Sequence, residues 1–332
     1  MFNSGHSAKA SPVETLIRRQ SLRPIELLPW ILAVGAYYAF TDYLALGCQI
    51  LIMILFAMSL DLVLGYAGIV TLGHSAFFGV GAYAAGIYAA HISGEPLSGL
   101  LVGAIAAAAI GWASGLIILR TQGLALLMLT LAITALLAEV ANKASFITGG
   151  ADGLQGVDIN PIFGIFKFDL YGRTAYIYCL IVLFTGWIFA RRLIHSSFGQ
   201  SLIGIRENAA RMHAIGTPVR RRLLTIYTIS AALAGIAGAL LAQTTQFVGL
   251  TVLGFQRSGE IVVMLVFGGI GRLYGAFIGA ALYMIAQDQL AKLDPTFWYF
   301  WIGLLLVLLV MFARGGVLGL IDQAMRTLRR PR

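Results

Sequence analysis

Two ionisable side chains, Asp61 and His74, stand inside long apolar runs of this chain. A carboxylate and an imidazole in apolar surroundings could relay protons, line a polar path, or serve as buried hydrogen-bond partners. An ionised Asp in the middle of a spanning helix costs roughly 2.5–3.5 kcal/mol on insertion scales, so Asp61 should face the bundle interior or a wet cavity. Its candidate structural partners are Ser59, Tyr66 and His74. His74 lies in the run Gly73-His74-Ser75-Ala76-Phe77-Phe78-Gly79, which brings polar groups into a glycine-rich segment. No second His is within helical reach and no HExxH or Cys/His cluster occurs, so no metal is expected. No Ser/His/Asp arrangement follows from the spacing. The sequence has no Gly-Lys dipeptide, so it lacks the loop with which P-loop enzymes hydrolyse nucleotides. Cys48 and Cys179 lie in apolar stretches and read as small buried hydrophobes.

A second group is basic. Between Arg191 and Arg222 fall seven of the chain's 23 Lys and Arg residues: Arg191, Arg192, Arg206, Arg211, Arg220, Arg221 and Arg222. Within that loop Phe198, Leu202, Ile205, Ala209 and Met212 recur at the period of an amphipathic helix. Ser197 with Gln200 offers a capping-box start, and Gly216 with Pro218 a stop, so one short surface helix is expected.

The elements around these residues are apolar. The chain has 332 residues, 59% hydrophobic and only 11% charged, with mean hydropathy +0.86. A soluble domain carries about 25% charged residues, so a bilayer must be the solvent for most of this one. The fold class is therefore an all-α polytopic membrane protein. Candidate spans are 25–41, 45–66, 69–92, 97–119, 123–141, 174–190, 223–245, 259–271, 273–291 and 297–313, a bundle of about 8–10 helices with some short or broken ones. The net charge of +9 is concentrated at the ends of apolar runs, which fits the positive-inside rule and contacts to lipid, and no nucleic-acid partner is expected. With the Arg-bearing leader, the basic loop and the basic tail all on the cytoplasmic side, six and then four crossings close the parity. The loop at 142–173 is then extracytoplasmic. Gly111 with Gly115 suits close helix packing, whereas Gly268, Gly269 and Gly271 beside Arg272 suit a helix break. Glu139, Glu260 and Asp288, near span ends, are expected to be solvated.

On these residues the chain resembles the permease subunits of ABC importers for branched-chain amino acids, in particular the M-type member of the pair. The resemblance runs from about Ile52 to Leu320. It is carried by Leu60-Asp61-Leu62-Val63-Leu64-Gly65-Tyr66-Ala67-Gly68, Leu72-Gly73-His74 through Gly81-Ala82-Tyr83, and Thr148 to Leu154. Ile205-Arg206-Glu207-Asn208-Ala209-Ala210 with Ala214-Ile215-Gly216, and Gly268-Gly269-Ile270-Gly271, complete it. With the hydropathy and charge pattern it gives the expected division: a cytoplasmic leader (1–24), a permease domain (25–320) and a basic cytoplasmic tail (321–332). Within the permease domain lie the outer loop (142–173) and a cytoplasmic coupling loop (191–222).

The same resemblance implies that Arg206, Glu207, Asn208, Ala209, Ala210 and Gly216 form a coupling helix for separate ABC ATPase subunits, which bind the ATP, so this chain needs no cofactor. It places Asp61, Gly73, His74, Ser75, Gly269 and Arg272 on a translocation path. Thr148, Gly149, Gly150 and Asp152 would dock an extracytoplasmic substrate-binding protein, and a second permease subunit would complete a heterodimer in the bacterial inner membrane. Asp61 stands where relatives usually carry Asn, Arg272 where Ser is common, and Ala276 where Pro is frequent. Related permeases carry urea, short amides or aromatic acids, so these are the alternative substrate classes. The competing mechanism is an ion-coupled secondary transporter with Asp61 and His74 as its relay, which would need no ATPase-binding helix.

Overall fold

The computed structural model describes residues 27–161, 164, 166, 172–312 and 315–319. The leader at 1–24 and the tail at 321–332 lie outside the described residues. Helix α1 (Leu28–Ala39) is followed by α2 (Leu44–Asp61), which continues as a wider π-turn through Leu62–Tyr66. Next come α3 (Ser75–His91), α4 (Pro96–Ile118), α5 (Leu124–Lys143) and α6 (Arg173–His195). Two short helices, α7 (Ser197–Glu207) and α8 (Ala209–Ala214), precede α9 (Val219–Thr245), α10 (Phe255–Gly268), α11 (Leu273–Leu293) and α12 (Trp298–Phe312). Leu154 and Val248 form an isolated antiparallel bridge.

Among the described residues, five helices are long and apolar enough to cross a bilayer: α2 with its flanking turns, α4, α5, α6 and α9. The pair α10 and α11 passes the same test together but bends by 113° at residues 269–272. Helices α1 and α12 are shorter apolar pieces. The expected span at 69–92 is shortened, because residues 67–74 are non-helical and α3 begins only at Ser75.

Helix α2 is apolar all round and sits in the centre, with every residue from Leu51 to Val63 buried, as expected for a helix with no solvent-facing stripe. Helix α9 packs beside it, and against α4 on small residues. A β-carbon on Gly103 would lie 2.9 Å from that of Ala239, one on Gly115 2.8 Å from Leu224 Cδ1, and one on Gly111 would collide with Ala231. Gly111 and Gly115 thus do the close packing read from the sequence. Between α10 and α11, Gly279 meets the backbone of Met264 in the same way. Lipid gives apolar helices little reason to associate unless their backbones approach closely.

The connectors separate to two ends. At one, Arg220 reaches the Leu116 carbonyl at 3.4 Å, Arg206 reaches the Gly65 carbonyl, and Gly316 lies against Gly269. At the other, Asn160 N–H donates to the Gly94 carbonyl at 2.8 Å and Leu154 N–H to the Val248 carbonyl at 2.8 Å. Cys48 and Cys179, 131 positions apart, meet between α2 and α6 toward this second end, with Sγ atoms 3.1 Å apart.

Candidate functional site

The expected surface helix is two helices. Ser196, one residue before the expected start, caps α7 by accepting from Gly199 N–H at 3.4 Å. Leu202 and Ile205 are buried beneath it. Asn208 then leaves helical geometry at φ −158°, ψ 96°, and its side chain accepts from Arg211 N–H at 2.9 Å, so it caps α8. An Asx side chain competes with the helical backbone for local hydrogen bonds, which is why one periodic run is cut in two. Glu207, Asn208, Ala209, Ala210 and Gly216 are exposed. Gly216 has φ +85° and open space around its α-carbon, a left-handed stop of the expected kind. Arg206, exposed like its neighbours, also donates from its guanidinium to the Gly65 carbonyl.

Two clusters of polar groups inside the bundle hold His74 and Asp61. The first surrounds the non-helical stretch before α3. His74 Nε2 lies 3.0 Å from Ser59 Oγ and 3.4 Å from Ser230 Oγ. Ser59 Oγ donates to the Phe56 carbonyl at 2.6 Å and Ser230 Oγ to the Ser59 carbonyl at 2.5 Å. With both hydroxyl protons so committed, the serine oxygens face the ring as acceptors, which places the His74 proton on Nε2. The ring also stacks on Phe56 with centroids 5.7 Å apart. Leu72 N–H donates to Thr130 Oγ1 at 3.4 Å, Thr134 Oγ1 to the Gly73 carbonyl at 3.3 Å, and Ser75 N–H to Ser258 Oγ at 3.0 Å. Irregular backbone inside a membrane protein is tolerable only when such groups satisfy it.

The second cluster is the break between α10 and α11. Gly269 and Gly271 have φ of +111° and +78°, a region that side chains rarely enter. Asp61, fully buried, accepts from Gly271 N–H at 2.7 Å through Oδ1. Its Oδ2 has no hydrogen-bond partner among the described residues. The sequence pointed to Ser59, Tyr66 or His74 as Asp61's partner; a backbone amide 210 positions away takes that place. Gly73, His74, Ser75 and Gly269 are buried in packed protein, while Arg272 is exposed.

In the loop at 142–173, Thr148 and Gly150 are buried and Asp152 is exposed. Thr148 Oγ1 donates to the Ala144 carbonyl at 2.9 Å. Gly149, Gly150 and Gly153 all take positive φ, so Thr148, Gly149 and Gly150 shape the turn and Asp152 presents its surface. Of the span-end acids, Glu139 pairs with Lys143 at 3.5 Å and Asp288 with Lys292 at 2.6 Å. Glu260 pairs with Arg257 at 3.0 Å with its side chain only 12% exposed, less solvated than expected. Among the described residues no group of three or more His, Cys, Asp or Glu is placed to hold a metal ion.

Residues 43–321 match the family described as "Branched-chain amino acid transport system / permease component". The chain belongs to that family. It is 25% identical over 289 residues to the high-affinity branched-chain amino acid transport system permease protein LivM of Escherichia coli (strain K12), covering 81% of this chain and 68% of that one. It is 26% identical over 222 residues to the L-arabinose ABC transporter permease protein AraH of Azospirillum brasilense, covering 64% of this chain and 63% of the relative. A 28% identity over 142 residues, 41% of this chain and 40% of the relative, links it to the autoinducer 2 import system permease protein LsrC of Klebsiella pneumoniae subsp. pneumoniae. No solved structure matches the chain. The relatives' names share the permease role and differ in cargo. The chain is thus a multi-pass ABC-transporter permease subunit, a transport protein by family.

Sequence reasoning marked Gly271 at a break and named Ser59 as a partner for Asp61, but it missed Ser230, Ser258, Thr130 and Thr134 at one interruption and the role of the Gly65 carbonyl at the other. Hydroxyl residues one helical turn apart, such as Thr130 and Thr134, were the only available signal, and they are common in any apolar helix.

Proposed function

We propose that this permease carries branched-chain or related amino acids inward across the bacterial inner membrane by alternating access, driven by separate ATPase subunits. The basic loop would face the cytoplasm, with α7 and α8 seated against an ATPase subunit. The observation that carries this reading is the exposed run Glu207–Ala210, with Gly216 closing it, on a pair of short helices docked at one end of the bundle. A second permease subunit would complete the path, and a binding protein would dock at the outer loop around Asp152. The ion-coupled reading loses its relay, since Asp61 and His74 have different hydrogen-bond partners.

Affinity purification of the tagged chain from its native membrane, with mass spectrometry of what stays bound, tests the assembly. One or two P-loop ATPases and a second permease are expected. In the reconstituted complex, Glu207→Lys should lower uptake while leaving ATP hydrolysis running. Recovery of the chain alone, active on an ion gradient, would overturn the proposal.

A further inference from the structure

Arg206 belongs to the surface segment and is exposed, yet its side chain also packs on the end of α2. It runs across Gly68, where a β-carbon would lie 2.6 Å from Arg206 Cγ, and Gly68 holds φ +75°. Its Nη1 donates to the Gly65 carbonyl, inside the π-turn that ends α2. The same nitrogen would be 3.4 Å from a β-carbon on Gly271. Gly65 is packed directly on that turn, since its own β-carbon would stand 2.6 Å from Gly271 N and would strike Asp61 Oδ1. Three glycines thus clear a slot in which a guanidinium, a backbone carbonyl, a backbone amide and a buried carboxylate converge. Three chain segments meet there: α7, the end of α2 from Asp61 through its π-turn, and the α10–α11 break.

A buried carboxylate that accepts one backbone hydrogen bond, with its second oxygen unmatched by any described donor, is expensive unless a positive charge stands near it. Arg206 supplies that charge, with the Gly271 peptide lying between the two groups. A guanidinium has five donors in a fixed fork and does not lose its proton, so this charge is permanent. Resting on the reading above that α7 is gripped by an ATPase subunit, we propose that Arg206 and Asp61 act as one positioning unit that ties α7 to the α10–α11 break. Displacement of α7 pulls on the Gly65 carbonyl and shifts the charge facing Asp61, and Asp61 holds the Gly271 turn. Arg206 is in this assignment a link within the permease and makes no contact with the ATPase.

Two measurements test it. In the isolated chain in lipid nanodiscs, hydrogen exchange of the segments 62–68 and 269–273 is compared for wild type, Arg206→Gln, Arg206→Lys and Asp61→Asn. Arg206→Gln should speed exchange in both segments by about tenfold, the loss of one hydrogen bond from a charged donor, and Arg206→Lys should restore part of the protection. Unchanged exchange at 269–273 in Arg206→Gln would overturn the link. In the full complex with its ATPases and binding protein, substrate moved per ATP hydrolysed should fall in Arg206→Gln and in Asp61→Asn. The double variant should be no worse than the more affected single one; independent, multiplying losses would show that the two residues do not act together. The exchange measurement needs no partner, so a wild-type chain that binds no ATPase would sink the proposed function while leaving the link standing or falling on its own result.

Discussion

The break before α3 and the break between α10 and α11 both interrupt helices inside the bundle, and they are held by different chemistry. The first is fastened by neutral hydroxyls from three helices: Thr130 and Thr134 of α5, Ser230 of α9 and Ser258 of α10, with His74 committed between Ser59 and Ser230. Its residues from Gly73 to Ser75 are entirely buried. The second is held by a single carboxylate bond to Gly271, by glycines at positive φ, and by Arg206 reaching in from α7. It leaves Ile270 45% exposed. Many short-range neutral bonds make the first a fixed joint. A few charge-dependent ones, anchored to a surface helix, make the second a joint that can respond.

The largest expected effect comes from filling the fixed joint. Gly73→Val would drive a β-carbon into the Thr130 carbonyl and to 2.9 Å from Thr134 Oγ1, where overpacking costs about 1–3 kcal/mol or more. Size-exclusion profiles in detergent should lose the monodisperse peak; a stable Gly73→Val protein would mean that the first joint has slack. Asp61→Leu comes next, because it strands the Gly271 amide at a cost of about 1–3 kcal/mol. Its apparent melting temperature should fall below those of wild type and Asp61→Asn. A Leu variant as stable as wild type would show that shedding a buried charge outweighs the lost bond. Thr134→Val removes one hydroxyl among several and should cost about 1 kcal/mol, with transport per ATP unchanged, in contrast to Asp61→Asn. The smallest effect serves as the control. Mild oxidation should cross-link Cys48 to Cys179, whose sulfurs are 3.1 Å apart, with equal yield in wild type and Asp61→Leu. This contact lies 13 positions along α2 from the second joint, and a lower yield in the variant would show that the joint's loss spreads through α2.

The fold class was legible because hydropathy is a local property. A run such as Leu44–Asp61 must be buried somewhere, and glycines clustered at 268–271 beside Arg272 mark where a helix will fail to continue. The stop at Gly216, after α8, was likewise readable, since turn chemistry is a property of single residues. The cut at Asn208 was hidden, because the apolar period runs straight through it and only the cap geometry reveals it. Cys48 and Cys179 read as separate hydrophobes, since nothing local records a meeting across 131 positions.

The sequence by itself determined the solvent, the helices, the amphipathic surface segment and the family, all of which depend on composition, period and motif order within short windows. Only the tertiary structure decided the partners: Asp61 with the Gly271 amide, Arg206 with the Gly65 carbonyl, His74 with two serines. Buried polar groups must be satisfied by whatever donor or acceptor the packing delivers. In a bundle of apolar helices that packing is set by which small residues let two backbones approach, a choice no single segment records.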